Sequence, residues 1–192
     1  AEFSRLNIFA HEMQGIKPAI SVARKYFDNG ASSHLIGYVS DASSRDLKNS
    51  KLLREINVPG LKTGKNGLEK LFNEEMLGTP GLQRFEVNAF GKRIKELKFI
   101  EGVSGKNFQT TIDQEIQEFS HELIKEKSGS ICVMDIYTGD IVAMTSSPAF
   151  NPNKFVHGIN LKDWNELLQN TKKPLINKSL AGLYPPGSTI KP

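Results

Sequence analysis

The stretch "GSICVMDIYTGDIVAMTSSP", residues 129–148, restricts the possible folds more than any other part of the chain. Two apolar runs flank the turn Tyr137-Thr138-Gly139-Asp140, a pattern that predicts a β-hairpin. Both strands are apolar enough to lie in a sheet interior. Just upstream, "NFQTTIDQEIQEFSHELIKEK" predicts a helix that Thr111 or Asp113 can cap, with Ile112, Ile116, Phe119 and Leu123 as its apolar residues. A helix followed by an interior hairpin needs a larger sheet around it. A domain ending there would expose an apolar edge.

The preceding hundred residues have a different character, broken often by Gly and Asn, and read as mixed helix and strand. "SHLIGYVS", 33–40, predicts a strand with a central glycine. "RDLKNSKLLREI" places Leu47, Leu52, Leu53 and Ile56 on one helical face. "GLEKLFNEEMLG", 67–78, is a better helix, with Leu68, Leu71, Phe72 and Met76 at helical spacing and Gly78 and Pro80 to end it. "RFEVNAFGKRIKEL" predicts a hairpin or long bent strand turning between Asn88 and Gly91. Further on, "LKDWNELLQN" predicts a short helix with Leu161, Trp164, Leu167 and Leu168 on one side. The change of character puts a boundary near 108–111. The chain thus divides into 1–110 and 111–192, and the fold class is α+β.

Composition narrows the function only a little. The 192 residues suffice for one sizeable domain or two small ones, and no run approaches 18 consecutive apolar residues. The net charge is +4, and the most basic run is Gly91 to Lys98. Ile94 and Leu97 interleave with its charges, which suits a half-buried element with a solvated face. No aromatic platform accompanies it, so nucleic acid is not an expected partner. Cys132 cannot form an internal disulfide and reads as a small buried hydrophobe. The four histidines have no metal-ligand spacing. The chain opens on Ala1-Glu2-Phe3 rather than Met, and both ends read as cut.

"LYPPGSTIKP" closes the sequence and contains Ser188-Thr189-Ile190-Lys191, an S-x-x-K. Pro185 and Pro186 disfavour helix before it, so a helix beginning at Ser188 is expected. Residues three apart share a helix face, bringing the Lys191 amine within reach of the Ser188 hydroxyl. A helix N-terminus and partial burial both disfavour a cation, so some neutral amine exists to take the serine proton. The nucleophile's own N–H can form half of an oxyanion hole. An ordinary helix cap with a surface lysine satisfies the same four letters.

Longer stretches separate these readings. "LYPPGSTIKP" resembles the nucleophile motif of the penicillin-binding proteins. "HLIGYVS", the block from Gly64 to Leu97, and "TIDQEIQ" followed by "GSICVMDIYTGDIVAMTSSPAFNPNKF" resemble, in order, segments of the class B group, in particular the elongation-type penicillin-binding protein 2. The resemblance runs from about residue 34 to 192. It implies an elongated, non-catalytic pedestal (dimerisation-type) domain over 1–110, then the incomplete start of a serine β-lactamase-like transpeptidase domain over 111–192. It further implies a D,D-transpeptidase that acylates serine with peptidoglycan stem peptides and is blocked by β-lactams. Ser188 would be the nucleophile and Lys191 its general base, with no metal and no organic cofactor. The family sits at the periplasmic face of the bacterial inner membrane, held by an N-terminal anchor that this chain lacks. It works with the SEDS-class glycosyltransferase RodA and with rod-complex scaffold proteins.

The family also needs S-x-N and K-T/S-G after the nucleophile. No S-x-N occurs, and the K-T-G at Lys62-Thr63-Gly64 lies far upstream, where it reads as coincidence. The overlapping "GLKTGKN" is one residue short of a phosphate loop. His121-Glu122 lacks the second histidine of a zinc protease, since position 125 is Lys. His157 and Trp164 could line a cleft, although packing is the simpler role. The expectation is a piece of a transpeptidase that is inactive alone. The competing readings are a non-catalytic interaction module and, against the pedestal block, a β-lactam sensor.

Overall fold

The computed structural model describes residues 2–9, 22–28, 30–56, 58, 60–90, 93–185 and 187. Helices alternate with three antiparallel two-stranded sheets among these residues, a mixed α+β architecture.

After helix α1 (Glu2–Phe9), the chain forms a single helical turn, α2 (Ser33–Ile36), and then strand β1 (Val39–Asp41). Only the last two residues of the predicted 33–40 strand, Val39 and Ser40, are therefore in a strand. The Asp28 carboxylate explains the difference: it accepts from the N–H groups of Gly30 (3.2 Å) and Ser32 (2.7 Å) and winds the chain into a turn. Ser33 and His34 are consequently both buried instead of alternating. β1 pairs with β2 (Lys62–Gly64), so the upstream K-T-G is a strand of this small sheet.

Between β1 and β2 the single predicted face over 45–56 becomes two helices, α3 (Ser44–Asn49) and α4 (Lys51–Ile56). Ser50 leaves the helical region, and its hydroxyl accepts from Leu53 N–H at 3.2 Å to start the second one. The 67–78 helix is likewise interrupted at Phe72, giving α5 (Gly67–Leu71) and α6 (Asn73–Leu77). There the Asn73 side chain turns toward β2, accepting from Thr63 Oγ1 (3.2 Å) and Gly64 N–H (2.8 Å).

At the start of α3, Ser43 and Asp46 form a reciprocal capping box, and Lys65 bonds the same carboxylate. Partial burial acts to raise Asp46, but the hydrogen bonds from Lys65 and Ser43 outweigh it and bring the carboxyl down to about 2. A depressed folded value means stability that is present above the unfolded value near 3.8 and lost as pH falls toward 2. Asp46→Asn is expected to lower stability by about 1–2 kcal/mol at pH 7 and by much less near pH 2. Denaturant midpoints measured across that window check it, and an equal loss at both ends would contradict it.

β3 (Leu82–Val87) and β4 (Arg93–Ile100) form the predicted hairpin, with register shifts after Arg84 and Glu86. Every residue of β4 is exposed, so the basic run from Arg93 to Lys98 is not half-buried as its sequence suggests. Two strands alone have no layer to pack against, and long side chains fold over their own sheet instead. Arg93 does so, lying 4.0 Å from the Phe85 ring centroid.

The second half contains α7 (Gln114–Ile124), the hairpin β5 (Gly129–Met134) and β6 (Ile141–Ser147), then α8 (Asn153–Val156), α9 (Leu161–Gln169) and α10 (Lys178–Ala181). Asp113 caps α7, accepting from Ile116 N–H at 3.0 Å. Thr111 instead donates to Ile141 O at 2.8 Å. The face that α7 buries is polar: Gln117 and Ser120 are inside, while Ile116, Phe119 and Leu123 are exposed. Cys132 is also exposed, contrary to the sequence reading, because it points to the open side of β5.

The main apolar cluster joins distant parts of the chain. Tyr26, Val39 and Val156 are buried together, with Ile36 and Tyr38 against them. Tyr38 stacks on Phe155 at 4.1 Å, and Phe150 meets Tyr38, Phe155 and His34 edge-on. Asn153 locks the cluster by bonding both backbone groups of Tyr26, at 2.9 and 2.8 Å. The Tyr26 phenol donates to buried Glu69 (3.1 Å), which also pairs with Arg24 (2.9 Å). Burial, and then the Glu69 charge, raise that phenol well above its ordinary value, so it remains a donor.

Candidate functional site

The two residues singled out for chemistry, Ser188 and Lys191, lie outside the described residues. What the structure describes is the chain ahead of them: α10, the segment 182–185, and Gly187. Gly187 has φ +52, a left-handed conformation suited to glycine immediately before the serine.

That ground is held by hydrogen bonds rather than by apolar contact. Thr145, Ser146 and Ser147 at the end of β6 are almost fully buried. Ser146 Oγ accepts from Lys178 N–H (2.9 Å) and donates to Ile176 O (3.3 Å). Ser179 Oγ donates to Thr145 O at 3.1 Å. Ser147 Oγ lies 3.2 and 3.1 Å from the carbonyls of Lys125 and Lys127, fixing the loop after α7. Asn177 caps α10 by accepting from Ser179 N–H (3.1 Å), and its amide donates to His34 O (3.3 Å). Each buried hydroxyl in this seam has a partner, as low-dielectric surroundings require.

Gln117 secures the other side of β6. Its Nε2 donates to Met144 O (2.9 Å) and Ala31 O (2.8 Å), while its Oε1 accepts from Met144 N–H (2.7 Å). The side-chain amide thus pairs with one strand residue as a neighbouring strand would. Asp113 N–H adds a bond to Val142 O at 2.9 Å. This occupies an edge of β6 that would otherwise present free backbone groups.

His34 lies between the seam and the aromatic cluster. Its Nε2 is 2.7 Å from Pro174 O, and a carbonyl can only accept, so the proton sits on Nε2. Nδ1 is then free to accept from Ser33 Oγ at 3.4 Å. Burial lowers the imidazole's pKa despite the bond to Pro174, and nearby Lys178 and His121 act in the same direction. Burial also lowers Lys178. His34 is therefore a neutral donor at neutral pH.

Other candidates from the sequence find structural roles. Trp164 packs edge-on to Phe155 at 6.5 Å, and His121 faces Thr145 Oγ1 at 3.5 Å. His157 lines an open groove with Arg24, Lys62 and Val156. Among the described residues no cluster of three or more His, Cys, Asp or Glu could hold a metal ion. Also among them, no helix is long and apolar enough to cross a membrane. Sequence reasoning did not find His34, Gln117, Ser146 or Asn177 as supports: three of them lie in the stretches that carry the family resemblance, but the bonds each makes reach residues far away in the chain.

The penicillin-binding protein dimerisation domain matches residues 1–110, more than half of the chain. The chain belongs to the penicillin-binding protein family. The transpeptidase domain of these proteins matches residues 129–192. Peptidoglycan D,D-transpeptidase MrdA of Salmonella typhimurium is 34% identical over all of this chain and 31% of its own length. MrdA of Acinetobacter baumannii is 33% identical over all of this chain and 28% of its own length. Among solved structures, penicillin-binding protein 2 of Helicobacter pylori in complex with MreC superposes with a TM-score of 0.78 at 30% identity, over 92% of this chain and 32% of that one. Penicillin-binding protein 2 of Pseudomonas aeruginosa in complex with WCK 5153 gives 0.71 at 32% identity, over 90% and 34%. The chain spans about a third of the length of these relatives.

Within this family, the polar seam lies across the two matched regions. Ala31 and His34 come from the part like the dimerisation domain, and Thr145, Pro174 and Asn177 from the part like the transpeptidase domain.

Proposed function

We propose that this chain is part of a peptidoglycan D,D-transpeptidase of the cell-elongation type, with a pedestal over 1–110 and the start of the transpeptidase domain over 111–192. The observation that carries this reading is the ordered match of both domains, with Ser188-x-x-Lys191 at the end of the second. The neutral Lys191 amine takes the Ser188 proton as Oγ attacks the carbonyl of the penultimate D-Ala. The peptide C–N bond breaks, terminal D-Ala leaves with the proton returned by Lys191, and an acyl-enzyme remains. An amine from a neighbouring stem peptide then attacks the ester and restores the serine. A β-lactam follows the first half and stays attached.

The proposed setting is the periplasmic face of the inner membrane. The proposed partners are a scaffold protein of the MreC kind, supported by the Helicobacter pylori complex, and a RodA-type polymerase. The exposed strand β4, with β3 exposed apart from half-buried Phe85, supports a partner-binding role for the pedestal.

Intact mass after exposure to benzylpenicillin tests the chemistry. A full-length protein carrying this sequence is expected to gain one penicillin, and Ser188→Ala none. An adduct on Ser188→Ala, or none on the folded wild type, would refute the assignment. The chain of 192 residues alone, without S-x-N, is expected not to turn over a D-Ala-D-Ala peptide.

A further inference from the structure

We propose that the joint between the 31–34 turn and the segment 174–177 is an acid-sensitive latch, closed while the His34 imidazole is neutral and open once it is charged. The inference concerns this joint alone and is independent of the chemistry at Ser188.

The latch centres on a single ring. His34 Nε2–H donates to Pro174 O at 2.7 Å, and Asn177 returns a bond to His34 O at 3.3 Å. These bonds tie the region like the dimerisation domain to the region like the transpeptidase domain. The residue is 7% exposed, with Phe150 edge-on at 5.2 Å and Ser33 Oγ 3.4 Å from Nδ1. A second proton would sit on Nδ1, in surroundings that withhold water from the charge.

Among the described residues, no element around the ring offers an unengaged carboxylate to receive that charge. Lys178 from α10 and His121 from α7 both oppose it. α2 packs against β6 and α5. The end of β6 brings only the hydroxyls of Thr145, Ser146 and Ser147. In α5, buried Glu69 is taken by Arg24 and Tyr26, and Lys70 is exposed. Asp28, in the preceding loop, holds the N–H groups of Gly30 and Ser32, and its charge acts on His121. Acid therefore adds a cation to a site that already holds Lys178. Burial, with Lys178 and His121, keeps the folded value below the ordinary 6.5. The latch is then complete above about 6.5 and is lost as pH falls through the folded value. Each pH unit in that window favours opening by up to about tenfold.

The experiment follows amide deuterium uptake by mass spectrometry on the full-length protein, corrected for the intrinsic effect of pH. Protection of 174–182 is expected to fall about tenfold or more between about pH 7.5 and about pH 5, while the β3–β4 hairpin changes little. His34→Gln keeps an amide donor toward Pro174 and never charges. Its protection over 174–182 should vary by less than about threefold across the same range. If the wild type stays protected at the lower pH, or if His34→Gln shows the wild-type loss, the inference is overturned. If His34→Gln does not fold, the wild type decides through deuterium exchange at the C2 carbon of each imidazole, which reads its titration. The His34 midpoint is expected below 6.5 and at the pH where 174–182 opens. A midpoint at or above 6.5, or opening while His34 is still neutral, overturns the inference equally.

Discussion

Gln117→Leu is expected to destabilise the protein by about 3–5 kcal/mol, among the largest effects of any single side chain here. The leucine is close in volume, so the loss is one of hydrogen bonds. Met144 N–H and Met144 O would be left without their partner, and Ala31 O would keep only the longer bond from Thr145 Oγ1 (3.4 Å), in a site where Gln117 itself is 1% exposed. Each orphaned buried group costs about 1–3 kcal/mol. The edge of β6 would also be opened to pairing with other chains, so aggregation on heating should increase. Urea denaturation with a light-scattering channel measures both. A loss below about 1 kcal/mol would mean that water replaces the amide and that the α7–β6 clamp is not structural.

Gly37→Ala is expected to cost about 4 kcal/mol or more. Gly37 has φ +85, and a Cβ there would sit 2.0 Å from Asn66 O and 2.6 Å from Asn66 C. Both are backbone atoms at the entry to α5, so no side-chain rotation relieves the overlap. The left-handed conformation alone costs roughly 1–2 kcal/mol for a residue with a Cβ. Gly139 provides the comparison: its φ is +79, but nothing lies within 4 Å of the added carbon. Gly139→Ala should therefore show only the conformational part. If the two substitutions cost the same by urea denaturation, the close approach of α2 and α5 is not what constrains Gly37.

These two residues also show what the sequence could and could not disclose. Periodicity located α7, α9 and both long hairpins, because each has enough residues for its repeat to stand out. It failed where a polar side chain overrules the repeat. Asp28 winds 30–34 into a turn, Ser50 restarts a helix, and Asn73 bends the α5–α6 helix toward β2. It failed again on α7, where the apolar positions mark the outer face and Gln117 the inner one. A pattern of apolar residues cannot report burial achieved by hydrogen bonding. Ser188 and Lys191 were legible because four adjacent letters carry their chemistry. Their supports were not, since His34, Gln117, Ser146 and Asn177 meet only after the chain has folded.

The bonds between the 31–34 turn and the segment 174–177 span 140 and 143 residues. During synthesis the turn therefore emerges long before its partners exist. At about 5–20 residues per second, the ribosome delivers Pro174 on the order of ten seconds after His34. Through that interval His34 has no Pro174 to hold, and the helix, hairpin and small sheets can form only around an open joint. The 31–34 turn is joined to the 174–177 segment only after the helices and hairpins encoded between them have been made.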